Sequence, residues 1–137
     1  MAKLFSDKWM QSFSNAWNAD TEMVDNLAEE EFSSVIGFGC KEDKTPLGIV
    51  IVQNGNVIYA GKYEGQKLDW DVRADVLDWK EWLSDGFGFE KLGVSISSGR
   101  LQFVTGDYRK MIRNPNMAKP FLRHFELMQG LDTEFVV

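Results

Sequence analysis

Trp9, Phe13 and Trp17 recur four residues apart, with Met10 and Ala16 beside them. That spacing lays apolar side chains along one stripe of an amphipathic helix. Ser6-Asp7 marks its start, since serine caps well and aspartate suits the positive end of the helix dipole. Asn18-Ala19-Asp20-Thr21 interrupts the stripe. Met23, Val24 and Leu27 then carry a second short helix, which ends in Glu29-Glu30-Glu31. From Phe32 the period becomes two. Phe32, Ser34, Ile36 and Phe38 fall on one strand face, while Gly37 and Gly39 leave the other open to a bulky neighbour or a bend. KEDKT (41–45) reads as a turn, and PLGIVIVQ (46–53), apolar on both faces, as a central strand. Asn54-Gly55 between apolar runs predicts a type I′ hairpin into VIYAGKY (57–63). KLDWDVR (67–73) alternates, with Leu68, Trp70 and Val72 inward and Lys67, Asp69, Asp71 and Arg73 outward on a wet face.

Asp75 opens the next helix, which presents Val76, Trp79, Trp82 and Leu83 at helical spacing. The segment 84–99, with Phe87, Phe89, Leu92, Val94 and Ile96, fits either a loose helix or an extended stretch. RLQFVTG (100–106) is the last strand, DYRKMI (107–112) begins a helical turn, and Asn114-Pro115-Asn116 breaks it. MAKPFLRHFELMQGL (117–131) forms the final helix, with Met117, Phe121, Phe125 and Met128 on its apolar face. Pro120 falls near its start and Gly130 stops it. The order is helices, a meander of four strands, one or two helices, a fifth strand and a closing helix. Hairpin-linked strands imply a mainly antiparallel sheet with helices over one face, an α+β layer fold. A chain of 137 residues, 44% hydrophobic and 26% charged, makes one domain over 1–137.

Charge and chemistry narrow the function. A net charge of −6 opposes nucleic acid, which requires clustered lysine and arginine. Arg109, Lys110 and Arg113 form only a local basic patch. The single cysteine, Cys40, excludes an internal disulfide and fits a reducing compartment. The N-terminus lacks a signal peptide's apolar core, no run approaches a membrane span, and the EFVV ending is not a peroxisomal signal, so the expected location is the cytoplasm. His124 is the sole histidine, and its neighbours by helical spacing are Phe121, Phe125 and Met128, a structural setting. Zinc is rejected, because a metal site requires converging ligands. Nothing brings Cys40 to His124 as a nucleophile–base pair. Asp69 and Asp71 share a strand face with Lys67 and Arg73, which explains them as surface ion pairs rather than a catalytic dyad. Neither G-x-G-x-x-G nor a Walker sequence occurs. No catalytic residue, metal or cofactor is expected. Ten Phe, five Trp and six Met leave an excess of apolar surface, which either fills a core or walls a ligand cavity.

The ordered set of segments resembles the sterol carrier protein type 2 family. The carrying stretches are FSDKWMQSFSNAWN, FSSVIGFG, PLGIVIVQNGNVIYAG, KLDWDVRA, DWKEWL and, most specific, SGRLQFVTGDYRKMI. They span roughly residues 4 to 130. The resemblance implies a five-stranded, mainly antiparallel sheet covered by helices, with an apolar tunnel between the sheet and the C-terminal helices. It implies non-catalytic binding or transfer of an apolar small molecule: a fatty acyl chain, an acyl-CoA, a sterol-like molecule or another lipid. The wall is then expected from Phe38, from Phe87, Phe89, Leu92 and Ile96, from Phe103, and from Met111, Met117, Phe121, Phe125 and Met128, with Trp79 and Trp82 behind. The final helix swings as a lid, and Lys110 or Arg113 meets an acidic head group at the mouth. Gly99 and Gly106 bracket the last strand, and Asp107 caps the turn that follows. Two other readings stand beside this one. The fold serves as an accessory or interaction subunit with a protein partner or a second copy of itself, or it is a small acid/base enzyme using an aspartate or His124 in the cavity.

Overall fold

The computed structural model describes residues 1–136; Val137, the last residue of the EFVV ending, lies outside them. The described residues form six helices and seven strands. Ser6 caps α1 (Asp7–Ala19) by accepting from the Trp9 amide at 3.3 Å. The predicted stripe is the buried one: Trp9, Met10, Phe13 and Trp17 all face the core. Asp20 ends α1 and caps α2 (Thr21–Glu29), its carboxylate accepting from the Met23 amide at 3.1 Å. One short polar side chain thus turns the corner between two helices.

The main sheet holds β2 (Ser34–Cys40), β3 (Gly48–Gln53), β4 (Asn56–Lys62), β5 (Trp70–Ala74) and β6 (Gln102–Thr105), in the order β4-β3-β2-β5-β6. It is five-stranded and mainly antiparallel, in a mixed α+β arrangement with helices. The expected four-strand meander is corrected at one step. β5 does not follow β4 but crosses to the far side of β2 and pairs with it in parallel, Ile36 opposite Trp70 and Phe38 opposite Val72. The connection at 63–69 is long enough to carry the chain there, so no hairpin joins β4 to β5. A small second sheet, parallel and absent from the sequence reading, ties β1 (Ala2–Lys3) to β7 (Thr133–Glu134).

The hairpin at Asn54-Gly55 has positive φ at both central residues, 47° and 88°, as a type I′ turn requires. Its tip is docked on the helices. Trp17 Nε1 donates to the Gly55 carbonyl at 2.9 Å, and Asn18 exchanges two hydrogen bonds with the backbone of Val57. A Cβ at Gly55 would lie 2.6 Å from the Val24 carbonyl oxygen and 2.9 Å from the Ala28 nitrogen. Gly55→Ala therefore meets a forbidden φ and a backbone clash together. We expect it to cost about 2–3 kcal/mol, read as a lower urea midpoint; a loss below about 0.5 kcal/mol contradicts this packing.

The opposite sheet face corrects the expectation of a wet surface on β5. Asp71 and Arg73 are buried, at 5% and 3% exposure. The segment 41–47 folds back over them, with Pro46 seated on Gly37 and Gly39. Arg73 Nε lies 2.6 Å from Asp71 Oδ1, and the guanidinium also donates to the carbonyls of Cys40 and Asp43, at 3.1 and 2.7 Å. Lys67 and Asp69 stay exposed, the Asp69 carboxylate accepting from the Val35 amide at 2.8 Å.

The ambiguous segment is helical. After α3 (Val76–Asp85), which buries Trp79, Trp82 and Leu83, comes α4 (Phe89–Ser97), burying Leu92 and Ser95. Asp75 precedes α3 as expected, but its backbone carbonyl rather than its carboxylate takes the first helical amides. α5 (Tyr108–Ile112) buries no residue, and α6 (Pro115–Gln129) closes the fold. α6 begins two residues before the sequence placed it. Pro115 takes the first helical position and Pro120 sits inside the helix. Among the described residues no helix is long and apolar enough to cross a membrane.

Candidate functional site

The pairing of β5 with β2 sets Ile36, Trp70 and Val72 on one sheet face, toward the helices. Opposite them stand Met117, Pro120, Phe121 and His124 of α6. Trp17, Leu27 and Phe32 close one side, and Met111 of α5 lies across another. The space between them is an apolar cleft of about 430 Å³ with its open mouth included, yet only about 40 Å³ admits the centre of a water-sized sphere. The tunnel implied by the resemblance is not shown; a narrow cleft occupies its place, and a chain-like guest enters only if the wall moves.

One wall is thinly anchored. α5 carries no buried residue, and it hangs between Gly106 and Asn114. Gly106 has φ 108°, and a Cβ there would come 2.3 Å from Trp70 Cε3. The glycine is thus the seat of the Trp70 ring as well as a turn, and Asp107 caps α5 by accepting from the Lys110 amide at 3.2 Å. Gly-Asp-Tyr here is a corner, not a phosphate cradle. Met111 and Met117 add unbranched side chains that repack around irregular shapes. Arg109, Lys110 and Arg113 are exposed beside this wall, and none forms an ion pair among the described residues.

The residues expected on the wall divide into groups. Met111, Met117 and Phe121 line the cleft. Phe38, Leu92, Phe125 and Met128 are fully buried and Phe87 nearly so, so they belong to the closed core. Trp79 and Trp82 lie there too, edge-on to one another and to Phe5 and Phe87. Phe103 stands one ring away from the cleft, stacked on Tyr108 and touching Trp70 and Phe121. It borders a separate surface hollow with Ile96. Phe89 is 52% exposed at the start of α4, beside a charged hollow of α2 and α6. Of the cleft residues outside the expected wall, Trp17, Leu27, Pro120 and His124 come from helices, Phe32 from the stretch before β2, and Ile36, Trp70 and Val72 from the strands. Ile36, Trp70 and Val72 are legible as inward-facing positions, but the alternation does not say whether inward means core or cavity.

His124 is the single titratable side chain on the cleft wall. It is 5% exposed, surrounded by the rings of Phe13, Trp17, Phe38, Phe121 and Phe125. Burial away from water pushes its pKa down to about 4, against a smaller upward pull from the Phe121 carbonyl. The imidazole is neutral at physiological pH. Cys40 is buried and unpaired, its thiol pushed up to about 11 by burial and by nearby acidic charge, so it is no nucleophile.

No family model and no curated protein matches the chain. Solved structures do. A crystal structure of sterol carrier protein 2 superposes with TM-score 0.74 at 15% identity, covering 95% of this chain and 100% of the other. The solution structure of TT1886 from Thermus thermophilus, a conserved hypothetical protein described as possibly a sterol carrier protein, gives TM-score 0.74 at 14% identity over 98% of this chain and 93% of its own. The ubiquinone synthesis protein UbiJ-SCP2 gives 0.53 at 16% identity, covering 84% of each chain. Joined to the five-stranded sheet and covering helices described above, these likenesses fix the architecture: the chain has the sterol carrier protein 2 fold.

Proposed function

We propose that this protein binds or transfers an apolar small molecule in the cleft between its sheet and α6, without covalent chemistry. Fatty acyl chains, acyl-CoA esters, sterol-like molecules and other lipids are the candidate cargoes. The observation that carries the reading is the cleft itself, apolar on nearly every side and bounded by a short helix with no buried anchor. Burying a chain releases about 0.8 kcal/mol per methylene, so ten methylenes supply roughly 8 kcal/mol before association costs. Met111, Met117 and Phe121 form the adaptable part of the wall, with Lys110 and Arg113 near the mouth for an acidic head group. One lipid-binding domain over 1–137 accounts for the whole chain, and a single unpaired cysteine suits a reducing cytoplasm.

A second reading draws on the likeness to a protein named for ubiquinone synthesis. Here the same cleft serves an accessory subunit, which presents an apolar substrate to a partner enzyme. The acid/base enzyme is disfavoured: a catalytic carboxylate would have to face the cleft, and none lines it among the described residues. His124, the one titratable group there, is a weak base by burial.

Titration with medium-chain apolar probes tests the binding reading. Trp17 and Trp70 border the cleft, so wild-type fluorescence changes saturably as the probe enters. Ile36→Phe fills the cleft from the strand side and is expected to weaken binding at least about tenfold while retaining cooperative unfolding. Unchanged fluorescence with every probe, or full affinity in Ile36→Phe, overturns the reading.

A further inference from the structure

His124, which lines the cleft, carries an unused hydrogen-bond acceptor. Its Nδ1 meets the Phe121 carbonyl oxygen. A carbonyl oxygen only accepts, so Nδ1 carries the proton and Nε2 is left with a bare lone pair. Among the described residues no donor reaches Nε2. Among the described residues the enclosed side-chain nitrogens and oxygens without partners are Trp82 Nε1 and Ser95 Oγ. Nε2 is not among them, and His124 lines the cleft. The residue is nevertheless 5% exposed, and the ring centroids around it lie 4.1 to 6.4 Å away, all aromatic and uncharged. The N–H of Trp17, another lining residue, is already donated to the Gly55 carbonyl at 2.9 Å. A mostly apolar binding site with one well-placed polar group is how small-molecule sites fix orientation.

We infer that the cleft takes an apolar molecule bearing a neutral hydroxyl at its buried end, whose O–H donates to His124 Nε2. The inference rests on the binding reading above and narrows its ligand class. An ether or alkane of the same length leaves Nε2 unpaired. A carboxylate anion has no proton to give and sets its charge against a lone pair in an apolar site, so an acid would have to bind with its head at the mouth. No charged side chain lines the cleft among the described residues, and the rings packed around the imidazole are those of Phe13, Trp17, Phe38, Phe121 and Phe125.

The test compares 1-decanol with decyl methyl ether on untagged protein. Because the chain has one histidine, the imidazole nitrogens of ¹⁵N-labelled protein assign themselves. Decanol is expected to shift the Nε2 resonance and to bind about five- to tenfold more tightly than the ether by calorimetry. The ether is expected to leave Nε2 in place. In His124→Phe the two probes bind equally; the NMR comparison on wild type stands even if that variant fails to fold. Equal affinities with an unmoved Nε2 overturn the hydroxyl inference and leave the binding reading intact. Binding of neither probe overturns both.

Discussion

Arg73→Met is expected to lower the stability of the fold by about 3–5 kcal/mol, the usual cost of stripping one partner from a buried ion pair. Arg73 and Asp71 have side chains only 4% and 7% exposed, joined at 2.6 Å with a second hydrogen bond at 3.0 Å. The guanidinium also holds the carbonyls of Cys40 and Asp43. Without it, a carboxylate and two backbone acceptors are left under segment 41–47 with no donor and little water. The expected signature is a lower urea midpoint with an unchanged slope. Replacing both partners, Asp71→Leu with Arg73→Met, is expected to recover part of the loss, because no lone charge is then left behind. A single-variant loss under about 1 kcal/mol would mean that the loop opens freely and the pair is solvated.

Acid is expected to destabilise the protein through His124. The folded state holds its pKa near 4, below the ordinary value of 6.5, because the ring is buried among aromatics. The unfolded state therefore binds a proton first. The stability linked to this group is complete above pH 6.5, falls as the pH drops, and is lost by about pH 4. A difference of this size is worth on the order of 3 kcal/mol at about 1.4 kcal/mol per pH unit. Carboxylates add their own dependence at the acid end, so the informative quantity is the wild-type curve minus that of His124→Phe. That difference should slope between pH 6.5 and 4 and be flat above. A flat difference throughout would place the imidazole in contact with water.

Both effects mark where the sequence stopped being legible. The alternation of KLDWDVR marks two faces correctly, but it assigns the second face to water. Nothing in KEDKT signals that this charged turn lies back over the sheet; the signal is across the chain, in Gly37 and Gly39, which leave a seat for Pro46. The α1 stripe, the Asn54-Gly55 hairpin and the cap at Ser6 are readable because each rests on local geometry. The parallel pairing of β5 with β2 is not, since an extended connection carries no local mark of where it leads. α4 is blurred because Phe89 and Val94 point to solvent, at 52% and 58% exposure, and break the helical period. The cleft is half legible. The Met and Phe residues of the closing helices stand out by type, whereas Phe38, Phe125 and Met128 have the same character and fill the core. Their difference lies in side-chain packing, which periodicity does not encode.

The apolar excess divides into a closed core and a yielding cleft, and the methionines report on both. Met111 and Met117 line the cleft, while Met10, Met23 and Met128 are no more than 2% exposed in the core. The most direct measurement is a methyl NMR titration of protein labelled at the methionine methyl groups, with 1-decanol as probe. The Met111 and Met117 resonances are expected to move together and saturate, with those of Met10, Met23 and Met128 nearly still. Resonances of Met111 and Met117 that stay in place while the probe binds would put the ligand elsewhere and contradict the account.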